Sequence, residues 1–141
     1  MKKLIPIIVM ILAISCGDPS SHDEHTEIEK MEYQDSLDAV AAAPKSHEVL
    51  LENDRVRVLR VTIAPGEKEP MHHHKWESVM YVEQPSRIRY YTADGDVGFE
   101  SPMDQNFDDF NPAPDWMGSE GVHAVENIDT IPFIALRVEL K

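Results

Sequence analysis

Arg55-Val56-Arg57-Val58-Leu59-Arg60-Val61-Thr62-Ile63 opens by alternating charged and apolar side chains. A period of two is the mark of a strand with one buried face, because successive side chains leave a strand on opposite sides. Val56 and Val58 therefore share one face, and Arg55 and Arg57 the other. Pro65-Gly66 ends the run with a turn. Upstream, Val49-Leu50-Leu51-Glu52 is a short apolar run broken by Asn53-Asp54. Downstream, Ser78-Val79-Met80-Tyr81-Val82 stops before Pro85, and Arg87 to Thr92 forms a further β-rich run. Asp94-Gly95 sits where a hairpin turn belongs, and Val97 to Glu100 returns from it. Asp115-Trp116-Met117 is brief, His123 to Asn127 is a strand, and Phe133 to Leu140 alternates again. There Phe133, Ala135, Arg137 and Glu139 lie opposite Ile134, Leu136, Val138 and Leu140. Short strands separated by Gly, Pro, Asn and Asp specify an all-β sandwich or barrel.

The histidines gather in two places. Pro65 to Ser78 contains His72-His73-His74 followed by Lys75-Trp76-Glu77-Ser78. On a strand, His72 and His74 share a face and His73 takes the other, where it is expected to be solvated. The second place is His123-Ala124-Val125-Glu126-Asn127, preceded by Gly118 and Gly121.

Gly66, five residues, His72, one residue, His74 resembles the first motif of the cupins, and Gly121-Val122-His123, three residues, Asn127 resembles the end of the second. The resemblance covers residues 46–141 and implies a small jelly-roll β-barrel with one divalent metal inside. It implies His72, His74 and His123 as ligands, with a Glu further along the first strand. Here the pattern departs. Glu77 follows His74 after two residues, where the family has three or four. Strict alternation puts Ser78 on the face of His74, and a bulge near Lys75-Trp76 would restore Glu77 as a fourth ligand. Gly118 and Glu120 also stand where the family usually has Pro and Gly. Without Glu77, a three-His site resembles the thiol dioxygenase branch, which holds iron(II). Imidazole also suits zinc, nickel and other first-row ions, so ligand type does not choose between Fe(II), Zn, Ni and Mn.

The composition narrows the alternatives. The 141 residues carry 13 Lys+Arg and 26 Asp+Glu, a formal charge of -13, which argues against nucleic acid as a partner. A single cysteine, Cys16, excludes an internal disulfide and a multi-Cys zinc finger. Asp104, Asn106, Asp108 and Asp109 lack the spacing of a calcium loop. Trp76, Tyr81, Trp116 and Phe133 read as core or cavity wall. Arg87, Arg89 and Arg137 read as outward, although an arginine in a barrel mouth can meet a carboxylate.

Met1-Lys2-Lys3 and the uncharged run Leu4 to Ser15 form a signal segment too short to span a membrane. Its end, Leu12-Ala13-Ile14-Ser15-Cys16, resembles a bacterial lipoprotein signal, with Ala13 where Leu is commoner. The resemblance implies cleavage before Cys16, lipid on Cys16, and anchoring to a membrane of the cell envelope outside the cytoplasm. Losing Lys2 and Lys3 would take the charge from -13 to -15. Residues 1–15 are thus read as signal peptide, 16–45 as an acidic tether, and 46–141 as the cupin domain. His22 and His25 belong to the tether reading. Asp35 to Ala43 has room for one or two helical turns, with Ser36 as cap and Pro44 as stop.

Three functions follow from these readings. The first is a metal-dependent enzyme acting on a small polar molecule, with oxygenase-type chemistry ahead of isomerase or lyase chemistry. The second is a non-catalytic small-ligand-binding protein with the same pocket. The third is a structural lipoprotein, which the paired motifs disfavour. A homodimer through edge strands is compatible with the family.

Overall fold

The computed structural model describes residues 33–141. The signal segment, Cys16, His22, His25 and the tether up to residue 32 lie outside the described residues. Nine strands follow in order: β1 His47–Glu52, β2 Val56–Ile63, β3 His72–His74, β4 Ser78–Gln84, β5 Ile88–Tyr91, β6 Val97–Glu100, β7 Pro114–Met117, β8 Glu120–Asn127 and β9 Phe133–Leu140. They form two antiparallel sheets, ordered β1-β2-β9-β4-β7 and β3-β8-β5-β6. The all-β jelly-roll expectation holds.

The inner face of the larger sheet grades from polar to apolar. At one end Arg57, Glu139 and Ser78 are register neighbours, followed by Leu59, Arg137 and Met80. Val61, Ala135 and Val82 come next, then Ile63 and Phe133. Leu59, Val61, Ile63 and Ala135 make the buried core, and Val125 packs on it from the facing sheet. Alternation identified the two faces of β2, but the interior face is the one that carries Arg57. Val56 and Val58 lie on the outer face, where Leu51, Val58, Val138, Val79 and Trp116 form a row across all five strands. β1 carries a register shift between Val49 and Leu51, so its apolar run does not alternate cleanly.

Two turns need glycine. Glu67 N–H donates to the Ala64 carbonyl across Pro65-Gly66, with Gly66 at φ 74°, and Gly95 closes the β5–β6 hairpin at φ 85°. After Gly66 the chain runs beside β8: Gly66 N–H donates to the Asn127 carbonyl and Glu69 N–H to the Val125 carbonyl. The buried Asn127 side chain donates to the carbonyls of Ile63 and Ile131 at 2.8 Å each. This stitching sets His72 opposite His123.

The stretch from His72 to Val82 is not one strand. β3 belongs to the smaller sheet and β4 to the larger, with the chain turning between them at Lys75 to Glu77. The register irregularity falls between His72 and His74, not at Lys75-Trp76. Nor does the tether extend to residue 45. Asp35–Leu37 forms a 3-10 turn and Ala39–Ala42 a short helix, α1, with Ala39 and Ala43 buried. The helix cap is Asp38 rather than Ser36, its carboxylate accepting from Val40 N–H at 3.1 Å. The segment stays because α1 and the turn before it cover the outer side of β3.

Candidate metal centre

Between the sheets lies a cavity of about 250 Å³. Its polar end holds His47, His72, His74, His123, Glu69, Glu120 and Arg137, all of which line it. His72 and His74 enter from β3 and His123 from β8. The ring centroids of His72 are 5.2 Å from His74 and 4.5 Å from His123, and His74 and His123 are 5.8 Å apart. The three sequence-identified histidines therefore converge, all of them buried.

His47 was not identified from sequence. It opens β1, twenty-five positions before His72, and belongs to neither motif. Its ring centroid lies 4.8 Å from His72 and 5.3 Å from His74. Ligand atoms of His47, His72 and His74 all fall within 4.8 Å of one another, and so do those of His74, Glu120 and His123. His74 belongs to both groups.

Glu77 is not with them. It is exposed, and its backbone carbonyl accepts from Leu140 N–H. Ser78 takes the inward position, 0% exposed, with an Oγ that lacks a hydrogen-bond partner. His73 faces away from the cavity but is not solvated. It is buried under the segment before α1, where its Nε2–H donates to the Gln34 carbonyl at 2.7 Å and Tyr33 meets its ring edge-on. Arg137, expected outward, is inside. Arg87 pairs with Asp129, and Arg89 with Glu100 and Glu126, away from the histidine cluster. Alternation had already put Arg137 and Glu139 on the face of Phe133 and Ala135, and that was the available signal.

Each of the four imidazoles is oriented through Nδ1. His47 Nδ1–H donates to the Ala43 carbonyl at 3.2 Å, His72 to the Pro70 carbonyl at 2.9 Å, and His123 to the Gly121 carbonyl at 2.8 Å. His74 donates to Glu139 Oε1 at 2.7 Å. A carbonyl or carboxylate oxygen only accepts, so the partners assign the proton to Nδ1 and leave each Nε2 with a free lone pair. Burial lowers His47 to about 4 and His72 to about 3, and lowers His74 and His123 too. The rings are thus neutral near pH 7, and the contacts of His74 to Glu139 and of His47 to Glu69 at 3.6 Å involve uncharged imidazoles. Four neutral imidazoles held in the Nδ1–H tautomer form a donor set suited to a first-row divalent cation.

Behind His74 runs a buried chain of charge. Glu139 Oε2 accepts from Arg57 Nε, and Arg57 Nη1 and Nη2 donate to the two oxygens of Asp38 at 2.8 and 3.0 Å. Burial opposes ionisation of Asp38, but the hydrogen bonds and charge of Arg57 hold it below the usual carboxylate range. Glu69 is different. Burial pushes it up to about 7, and its Oε1 has no hydrogen-bond partner. Tyr90 stacks on His123 at 5.1 Å and 12°.

No family model matches the chain, and no curated protein sequence does. Solved structures do. A cupin domain from Bordetella pertussis Tohama I is 20% identical, with 67% of this chain and 91% of that one covered, at a TM-score of 0.53. An RmlC-like cupin family protein of double-stranded β-helix fold from Methanocaldococcus jannaschii is 12% identical over 67% and 77% of the two chains, at 0.47. The polyketide cyclase RemF from Streptomyces resistomycificus is 18% identical over 67% and 63%, at 0.44. At 20% identity what the Bordetella domain shares with this chain is the fold, and this domain has a cupin fold.

Proposed function

We propose that this chain is a metal-binding cupin of the bacterial cell envelope that takes a small polar molecule into its barrel, anchored outside the cytoplasm by lipid on Cys16. The observation that carries the metal reading is the common tautomer of the four buried imidazoles, each spending its Nδ1 proton on a fixed oxygen. Lone pairs gathered in a buried site repel one another unless a cation is shared among them. His72, His74 and His123 would hold the ion, with His47 as a further imidazole ligand. A bound divalent ion supplies Lewis acidity or a dioxygen centre.

The chain's own residues do the rest. Glu139 fixes the ring of His74, and the backbone carbonyls of Pro70 and Gly121 fix those of His72 and His123. Tyr90 clamps the ring of His123. Glu69 lines the cavity with a free Oε1 and is the group placed to hold or move a proton there. Oxygenase-type chemistry is the leading reaction type and isomerase or lyase chemistry the next, both by analogy of fold. A second reading, a non-catalytic binding protein, draws its support from Ser78, which stands inward where the family resemblance calls for a carboxylate.

Metal content tests the proposal. The full chain is purified without tag or chelator and its first-row metals are counted by mass spectrometry. About one ion per chain is expected, lost in His72→Ala and His123→Ala and weakened in His47→Ala. No metal after loading with Fe(II), Zn, Ni and Mn would overturn it. Substrate screens with the loaded protein, read by oxygen uptake for oxygenase chemistry and by product analysis for isomerase or lyase chemistry, separate the enzyme from the binder. Lipid anchoring is tested by incorporation of labelled palmitate, expected in the wild type and absent in Cys16→Ser.

A further inference from the structure

Glu120 and His123 stand three positions apart on β8, and strict alternation would send them to opposite faces. In the structure both line the cavity. The reason is a bulge. His72 pairs with His123 and His74 with Glu120, so β3 advances two residues while β8 advances three. The extra residue lies on β8 between Glu120 and His123, and it brings their side chains to one face. The same stretch orients His123, whose Nδ1–H donates to the Gly121 carbonyl. An inward carboxylate therefore comes from β8, the strand opposite the histidine pair.

Glu120 meets the histidines directly. It is the cross-strand partner of His74, and one of its carboxylate oxygens and the ligand nitrogens of His74 and His123 all lie within 4.8 Å of one another. The other carboxylate lining the cavity, Glu69, lies beside His47 instead, at 3.6 Å. Arg137 Nη1 is 2.5 Å from Glu120 Oε2, a close ionic contact without the alignment of a hydrogen bond. A carboxylate has about four lone-pair sites, so this contact leaves capacity for a cation. The side chain borders the cavity and is 21% exposed, so an ion in the cavity can reach it.

Charge points the same way. Neutral imidazoles bring no negative charge to a divalent ion, and the inward Ser78 brings none. A buried ion is costly unless anions compensate it. Glu139 does so only through the ring of His74, whereas Glu120 faces the lone pairs themselves.

We propose that Glu120 is a metal ligand, joining His72, His74 and His123 in a set of three imidazoles and one carboxylate. The proposal rests on the metal reading above. Arg137 is then the group that holds the ligating carboxylate from outside the site. A carboxylate among imidazoles also shifts the set toward ions that favour oxygen, such as Mn(II), relative to a site of imidazoles alone.

Competition with a chelating dye on the full chain, for Mn(II) and Ni(II) separately, tests this. Glu120→Gln weakens Mn(II) at least about tenfold and Ni(II) by a smaller factor, because Mn(II) loses the oxygen donor it favours and Ni(II) keeps its imidazoles. Glu120→His restores a nitrogen donor, so Ni(II) stays within about threefold of wild type while Mn(II) remains weak. A role for Glu120 only as the partner of Arg137 would weaken both ions alike. Equal losses for the two ions, or unchanged Mn(II) affinity in Glu120→Gln, would overturn the assignment. Where the variants do not fold, or the wild type takes up zinc but not Mn(II), the crystal structure of the zinc-loaded wild type decides. A Glu120 oxygen about 2.0–2.2 Å from the ion supports the assignment, and one outside coordination distance overturns it. A wild type that takes up none of Fe(II), Zn, Ni and Mn overturns the preceding proposal and this one together. An ion that is lost in His72→Ala but indifferent to Glu120 overturns this one alone.

Discussion

Arg57→Met removes the centre of the buried chain that joins α1 to the histidine cluster. Arg57 makes one hydrogen bond to Glu139 and two to Asp38. After the substitution Asp38, which is partly exposed, can turn to water. Glu139 is 0% exposed and cannot. Its remaining partners would be His74 Nδ1 at 2.7 Å and the distant Arg137. Stranding one buried charge costs about 3–5 kcal/mol, a large share of the 5–15 kcal/mol typical of a domain. Urea unfolding of the metal-free protein at pH 7.5 should therefore show a loss of about that size, and thermal unfolding a drop on the order of 15 °C. Adding Glu139→Gln to Arg57→Met removes the stranded charge and should return about 2 kcal/mol, a coupling that a double-mutant cycle reads directly. A loss below about 1 kcal/mol, or strictly additive variants, would refute the view that Arg57 neutralises Glu139.

The pH dependence follows from opposing groups. His47 and His72 are lowered to about 4 and about 3, so the stability they contribute is complete above pH 6.5 and falls as the pH drops toward those values. Each loses about 2 kcal/mol by pH 5, and His74 and His123 act in the same direction. Glu69, raised to about 7, adds stability below pH 4.5 that is lost as the pH rises to 7. Glu69→Gln should therefore steepen the acid loss of the metal-free protein, and a flat profile in that variant between pH 5 and 8 refutes the assignment. Glu139→Gln should weaken metal affinity roughly 10- to 100-fold in competition with a chelating dye, because an amide orients His74 less strongly. His73→Ala should cost about 1–2 kcal/mol and speed proteolysis near residue 34 while leaving metal stoichiometry unchanged, and loss of metal would contradict its outward placement.

Local signals made most of the strands legible. Gly66 and Gly95 punctuate them, and β2 opens and β9 closes on alternating charged and apolar residues. The His72-x-His74 pair and His123 were legible as well, because their spacing with Gly66 and Asn127 is a local pattern. The Glu77 option needed a bulge at Lys75-Trp76 that is not there, whereas strict alternation put Ser78 inward, as it is. The chain changes sheets after His74, and it resumes with Ser78 pointing in.

Sequence by itself determined the element type, the turn positions and three of the converging imidazoles, since each depends on residues a few positions apart. The tertiary structure decided which face of each strand is inside. Periodicity groups Arg57 with Leu59, and Arg137 with Phe133, but it cannot say which group meets the second sheet. Packing the sheets together answered that, burying two arginines and Glu139 and bringing His47 to His72 across twenty-five residues. It also held residues 33–46 against the outer side of β3, where Ala39 and Ala43 bury surface that a free tether would leave in water.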